Sequence, residues 1–180
     1  MTPTTDAGST ERQSLEAFRA GRFEEAAAGF EVARRAYEAA GEPLKQAEMA
    51  NNQSVAWLQA GRPQAALAAV KGTPEMLATL GDDSRTAQAY GNLAAALEAC
   101  GDLAHAEPAY QEAADRFERL GDADNRALTM KALSQLQMRR GRPMQALGSM
   151  QAGLGGPSRL STRQRFLRWL LTLPGKLLGR

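Results

Sequence analysis

The 180-residue chain carries 22 basic and 20 acidic residues and is 43% hydrophobic, enough for one compact domain or one short repeat array that folds around its own core. Its single cysteine, Cys100, excludes an internal disulfide and a cysteine-based zinc cluster, and no stretch reaches the roughly 20 uninterrupted apolar residues of a membrane-spanning helix. Charge is divided unevenly: residues 1–124 hold all 20 acidic residues and 11 basic ones, whereas residues 125–180 hold 11 basic residues and no acidic one, an asymmetry that bears on association rather than on fold.

The opening MTPTTDAGST is polar and lacks the apolar run of a secretory signal. Residues 1–8 are expected to form a disordered tail, and the protein to be cytoplasmic. Beyond them the chain repeats itself. Written in rows of 40, Gly21, Gly61, Gly101 and Gly141 align, as do Ala26, Ala66, Ala106 and Ala146, with no insertion. Gly41, Gly81 and Gly121 form a further register, and so do Ala47, Ala87 and Ala127. A register that persists over four rows means one structural unit copied, and hence a solenoid. The units are expected at about 9–41, 42–81, 82–121 and 122–153, within a repeat domain of 9–153.

Each row divides into two helical runs. The second run of the first row, FEEAAAGFEVARRAYEAA (23–40), and the first run of the second, LKQAEMANNQSVAWLQA (44–60), place apolar or small residues every three or four positions, as an amphipathic helix does and a strand does not. Pro43, Pro63 and Pro143 stand where a first helical turn tolerates proline, and the glycines stand where left-handed caps close a helix. The recurrent alanines allow neighbouring helices to approach closely. Three places depart from the pattern. Thr73-Pro74 predicts a kink or restart in the second helix of the second unit, with Thr73 as its N-cap. Pro108 removes a hydrogen bond from the corresponding helix of the third unit, at about 3 kcal/mol unless that helix begins late. QAGLGGPS (151–158) truncates the fourth unit and includes a linker over 154–159.

Cys100 and His105 flank a turn and form the one pair with the makings of a nucleophile and base. No third group is evidently placed to orient the histidine, and Cys100 shares its register with Ala60, so a buried small cysteine and a solvated histidine are expected. No glycine-rich phosphate loop, metal-ligand spacing or serine elbow is present. The chain is accordingly expected to be non-catalytic, with no cofactor and no metal.

The combined pattern resembles the tetratricopeptide repeat. A small residue in the first helix (Ser14, Ser54, Ala94, Ser134) is followed by the turn glycine, the alanine of the second helix, an aromatic or apolar residue four later (Phe30, Val70, Tyr110, Met150), and Ala33 or Ala113 three beyond. The resemblance covers roughly residues 8–152, with a period of 40 rather than the usual 34 or so, as in the longer-helix variety of the family. It implies an all-α, right-handed α-solenoid of four helical hairpins, followed here by a C-terminal amphipathic helix, and a protein-interaction scaffold whose first helices line a concave groove. On that face the helical spacing puts Arg12, Glu48, Asn52, Gln59, Gln88, Asn92, Gln135 and Arg139 as candidate peptide-binding residues. Asn52 and Asn92 share one register. An asparagine offers both a donor and an acceptor, so such a row suits the backbone of an extended peptide. The family's basic clamp for a terminal carboxylate is not expected, because its positions hold Glu11, Leu15, Gln88 and Asn92.

The segment LSTRQRFLRWLLTLPGKLLGR (160–180) differs from everything before it. Leu160, Phe166, Leu167, Trp169, Leu170, Leu171 and Leu173 share one side of a helix, Ser161 and Gln164 have capping-box spacing, and Pro174-Gly175 stops it. Two roles are open: a final helix that covers the end of the solenoid, or an interfacial helix on anionic lipid, with Trp169 at the headgroup level between Phe166 and Leu170 of the apolar side, and Arg163, Arg165, Arg168, Lys176 and Arg180 near anionic lipid. Nucleic acid is not an expected partner. The expected function is thus a scaffold or adaptor that binds a peptide or protein segment; the alternatives are a peripheral adaptor at the inner face of the membrane and a small-ligand or peptide-sensing regulatory module.

Overall fold

The computed structural model describes residues 3–154. Among them are nine helices and no strand: α1 (Pro3–Arg19), α2 (Phe23–Ala39), α3 (Pro43–Gln59), α4 (Pro63–Val70), α5 (Thr73–Thr79), α6 (Asp83–Ala99), α7 (Leu103–Leu120), α8 (Ala123–Arg139) and α9 (Pro143–Leu154). The chain is an all-α solenoid. The first helices α1, α3, α6 and α8 are each 17 residues long and start at positions 3, 43, 83 and 123. Successive helices pack on one another, and α4 and α5 share the work of one second helix against α3 and α6.

The turns show why the glycine register cannot drift. Gly41 has φ +71°, a left-handed conformation that costs a side-chain-bearing residue 1 kcal/mol or so. There the Gly41 amide donates to Glu38 O at 3.1 Å, and the Glu42 amide reaches back to Tyr37 O at 2.9 Å. This double closure satisfies the last carbonyls of α2 and recurs at every hairpin with the same spacing. On the other side of the turn, the Asp82, Asp102 and Asp122 carboxylates accept from the amides of Arg85, His105 and Asn125, capping α6, α7 and α8.

Small residues set the helix spacing. Ala26, Ala66, Ala106 and Ala146 are all buried. At Gly29 a Cβ would lie 2.2 Å from Ser14 Oγ, so α1 and α2 approach as closely as backbone allows. Each second helix then offers one larger residue to the next first helix. Phe30 packs in a cluster with Met49 of α3, Val70 with Ala96 and Leu93 of α6, and Tyr110 with Met130, Leu133 and Leu136 of α8. The core is therefore continuous from unit to unit.

Four expectations need correction or completion. Residues 3–8 belong to α1 instead of a disordered tail: Ala7 is buried in the first core cluster, and Gly8 lies beside the Tyr37 hydroxyl, so small residues here pack although they look like a polar leader. The second helix of the second unit is split into α4 and α5, but its N-cap is Gly72 at φ +81°, not Thr73, which is buried as the first residue of α5. Only glycine takes that backbone conformation readily. Pro108 sits as the sixth residue of α7, which continues through it with the ring exposed, so the missing amide bond is absorbed in an early, solvated turn. The expected linker 154–159 and helix 160–180 lie outside the described residues, apart from Leu154 at the end of α9.

Candidate peptide-binding groove

A row of charges joins the first helices. Glu11 of α1 accepts from the Tyr37 hydroxyl at 2.6 Å and from Lys45 Nζ at 3.3 Å. Lys45 also lies 3.0 Å from Glu48, and Glu48 in turn accepts from Arg85 of α6 at 3.1 Å. Arg85 closes the row on Asp82 at 2.6 Å. Opposite charges thus alternate from α1 through α3 to α6. The electrostatics follow: the Glu48 bond holds the Lys45 ammonium above its usual range, the Asp82 and Glu48 bonds do the same for Arg85, and the bond from the Arg85 amide holds the Asp82 carboxyl below its own. Burial, with the Glu11 carboxylate beside it, pushes Tyr37 up to about 12. Pairs as exposed as these contribute at most about 1 kcal/mol each, so the row serves alignment of the helices more than stability.

The predicted groove residues divide against this background. Glu48 is committed to Lys45 and Arg85. Arg139 pairs with Glu98, which also accepts from the buried Tyr110 hydroxyl at 2.6 Å. Arg12, Gln59, Gln88 and Gln135 are exposed. Asn52 and Asn92 are half-buried at the same position of α3 and α6, two helices in direct contact, and neither side-chain amide has a hydrogen bond among the described residues. Sequence reasoning missed Tyr37, Lys45, Arg85, Glu98 and Tyr110. One signal was available: Lys45 and Arg85 are one period apart, each with an acidic residue 34 or 37 positions earlier.

The turn at Cys100 differs in part from expectation. Cys100 is half-buried, and His105 is exposed as expected. A third group does orient the ring: His105 Nδ1 lies 2.8 Å from Asp102 Oδ2, and that bond holds the Asp102 carboxyl below its usual range. No hydrogen bond links the Cys100 thiol to the imidazole, so the three do not form a relay. Among the described residues no cluster of three or more His, Cys, Asp or Glu has metal-binding geometry, and no helix is long and apolar enough to cross a membrane.

Residues 85–154, from α6 to the end of α9, match the tetratricopeptide repeat family model. That segment is similar to the tetratricopeptide repeat. The whole helical array shares its architecture with a solved structure, BtubC (BKLC) from P. vanneervenii, at 18% sequence identity and a TM-score of 0.70, covering 99% of this chain and 69% of that one. At that identity the likeness shows the fold. No curated protein matches the chain. Tetratricopeptide repeats in general act as non-catalytic interaction scaffolds that bind proteins or peptides. The first helices of the four repeat units differ at the position of Asn52 and Asn92, which holds Arg12 in α1 and Ala132 in α8.

Proposed function

We propose that this tetratricopeptide-repeat array is a non-catalytic adaptor that holds an extended peptide or protein segment along its first helices, with Asn52 and Asn92 pairing to the backbone of that segment. One observation carries the reading: these two amides are half-buried and unbonded, at equivalent positions of adjacent helices, while the charged groups around them bond to one another. A partly exposed amide without a protein partner can exchange its water for the backbone groups of a peptide, since it offers both a donor and an acceptor. Gln88 beside Asn92, and Gln59 and Arg12 at the margins, are the exposed groups positioned to meet side chains. Glu48 and Arg139 frame the groove through their ion pairs. The test is selection of binders from a random-sequence peptide library on the full chain, followed by the double substitution Asn52→Ala and Asn92→Ala. The selected peptides should lose affinity at least tenfold, the effect of about 1.4 kcal/mol, while helical circular dichroism stays unchanged. Equal binding by the variant removes both residues from the site.

A further inference from the structure

We propose that the cavity at the break between α4 and α5 is a binding site for a small phosphate-bearing anion, inorganic phosphate or a soluble phosphate monoester. The left-handed turn at Gly72, φ +81°, interrupts the second helix of the second unit, and a cavity of about 210 Å3 opens there against α2 and α3. Four donor side chains line it: Arg34 of α2, Gln46 of α3, Lys71 in the turn and Thr73 of α5. Among the described residues no acidic side chain does. The four donors are unengaged. Arg34 Nε is buried without a hydrogen-bond partner, and among the described residues neither Arg34 nor Lys71 belongs to an ion pair. Thr73 is 4% exposed, yet neither its hydroxyl nor the Gln46 side-chain amide makes a hydrogen bond there. In folded proteins a buried donor is met by protein, water or an ion, and this cavity is where such an acceptor can stand. The acids nearest along the chain are placed otherwise: Glu31 accepts from Arg35 and Gln53, and Glu38 and Glu75 are exposed outside the lining.

The donor set selects the ligand. A guanidinium presents a fork of N–H groups matched to phosphate oxygens, and a lysine adds a point charge on a flexible stem. Two cations with no acid between them are balanced by a dianion, and the further oxygens of a tetrahedral anion accept from a threonine hydroxyl and a glutamine amide. A carboxylate compensates one charge and offers two oxygens. The site belongs to the broken unit and not to the repeat as such. One period on, Arg34 and Lys71 correspond to Pro74 and Gln111, and two periods on to Ala114 and Gln151, while Thr73 gives way to Ala113 and Gly153. In neither of those intervals do the two positions hold a cation. Because Arg34 and Thr73 belong to second helices, the site is separate from the row of first helices assigned to a peptide, and it holds whether or not Asn52 and Asn92 bind one.

The experiment is a titration of the full chain with inorganic phosphate, followed by the proton–nitrogen NMR signals of the Arg34 Nε–H and the Gly72 amide, against sodium chloride of matched ionic strength. Both signals should move saturably with phosphate and with glycerol phosphate, and at least about tenfold more weakly with acetate. Arg34→Gln and Lys71→Gln should each weaken phosphate binding at least about tenfold, whereas Lys131→Gln, which removes an exposed charge from α8, should leave it unchanged. Lys71 is exposed, so its variant keeps the fold and reports on the site even where Arg34→Gln lowers helical circular dichroism. Shifts no larger than those in chloride overturn the proposal, since the cavity then holds water alone. Equal affinity for acetate overturns the ligand class, and unchanged affinity in Lys71→Gln places the anion elsewhere and refutes the site. Shifts that arise only with phosphatidic acid vesicles mean a headgroup at a membrane surface and equally refute a soluble ligand.

Discussion

Replacing Tyr110 with Phe tests the best-defined polar bond of the array, because its effect should reverse with pH. The Tyr110 ring is 6% exposed and its hydroxyl donates to Glu98 at 2.6 Å. At neutral pH the variant loses a bond to a charged acceptor, worth about 1.5 to 3 kcal/mol. Glu98 keeps Arg139 as a partner, so the lower figure applies. At alkaline pH the sign changes. Burial pushes Tyr110 up to about 12, whereas an unfolded tyrosine titrates near 10. Between those values the unfolded chain has lost the proton that the folded chain retains, so stability falls as pH rises. A two-unit difference corresponds to about 3 kcal/mol, fully present below pH 10 or so and about 2 kcal/mol of it gone by pH 12. The phenylalanine variant has no such loss. Tyr37, also pushed up to about 12, is common to both proteins and cancels in the difference. Urea unfolding followed by helical circular dichroism should therefore show the wild type more stable at pH 8 and the two converging, or crossing, towards pH 12. A gap that stays constant across that range would refute the reasoning, since it would mean that Tyr110 titrates as an exposed phenol.

Two further outcomes are expected. Gly29→Ala places a Cβ 2.2 Å from Ser14 Oγ and 3.2 Å from Ser14 Cβ, so Ser14 must abandon its 2.7 Å bond to Thr10 O; after a helix-propensity gain of about 1 kcal/mol, the net loss in urea unfolding is about 1 to 2 kcal/mol, and a Ser14→Ala background should recover part of it, whereas an unchanged midpoint would mean that α1 and α2 separate freely. The bond from the Arg85 amide holds the Asp82 carboxyl below the ordinary aspartate range, so its contribution is present above that range and lost as pH falls through the lower folded value; Asp82→Asn should flatten the acid limb of the stability curve, and identical acid limbs would count against the Asp82–Arg85 bond.

What was legible in the sequence was whatever the period of 40 enforces. Gly21 through Gly141 announce turns because a left-handed backbone admits little else, and Ala26 through Ala146 announce close helices because a larger side chain has no room. Asn52 and Asn92 were legible for the same reason, as one position written twice. What was hidden lay between units. Glu11, Lys45, Glu48 and Arg85 join helices across 34 and 37 residues, and their pairing depends on side-chain reach that spacing along one helix does not reveal. Thr73-Pro74 marked the break in the second unit, but capping preference favoured the threonine hydroxyl, while the fold chose the backbone freedom of Gly72. Composition misled at the start of the chain: a polar stretch with Ala7 and Gly8 looks unstructured, yet two small residues are what packing near Tyr37 admits.

The same contrast narrows what the groove can select. The charges from Glu11 to Asp82, and Arg139 with Glu98, are spent on one another, so an incoming segment that sought a salt bridge with those groups would have to break one already made, whereas the exposed Arg12 is in none of these pairs. The amides are not spent. They lie on α3 and α6 only, for the equivalent positions of α1 and α8 hold Arg12 and Ala132. Packed helix axes stand about 8 to 10 Å apart, and an extended chain advances about 3.3 Å per residue, so on the reading proposed above Asn52 and Asn92 would meet backbone groups about two to three residues apart on a bound segment. On that reading a bound segment is held through its backbone before it is held through side-chain charge.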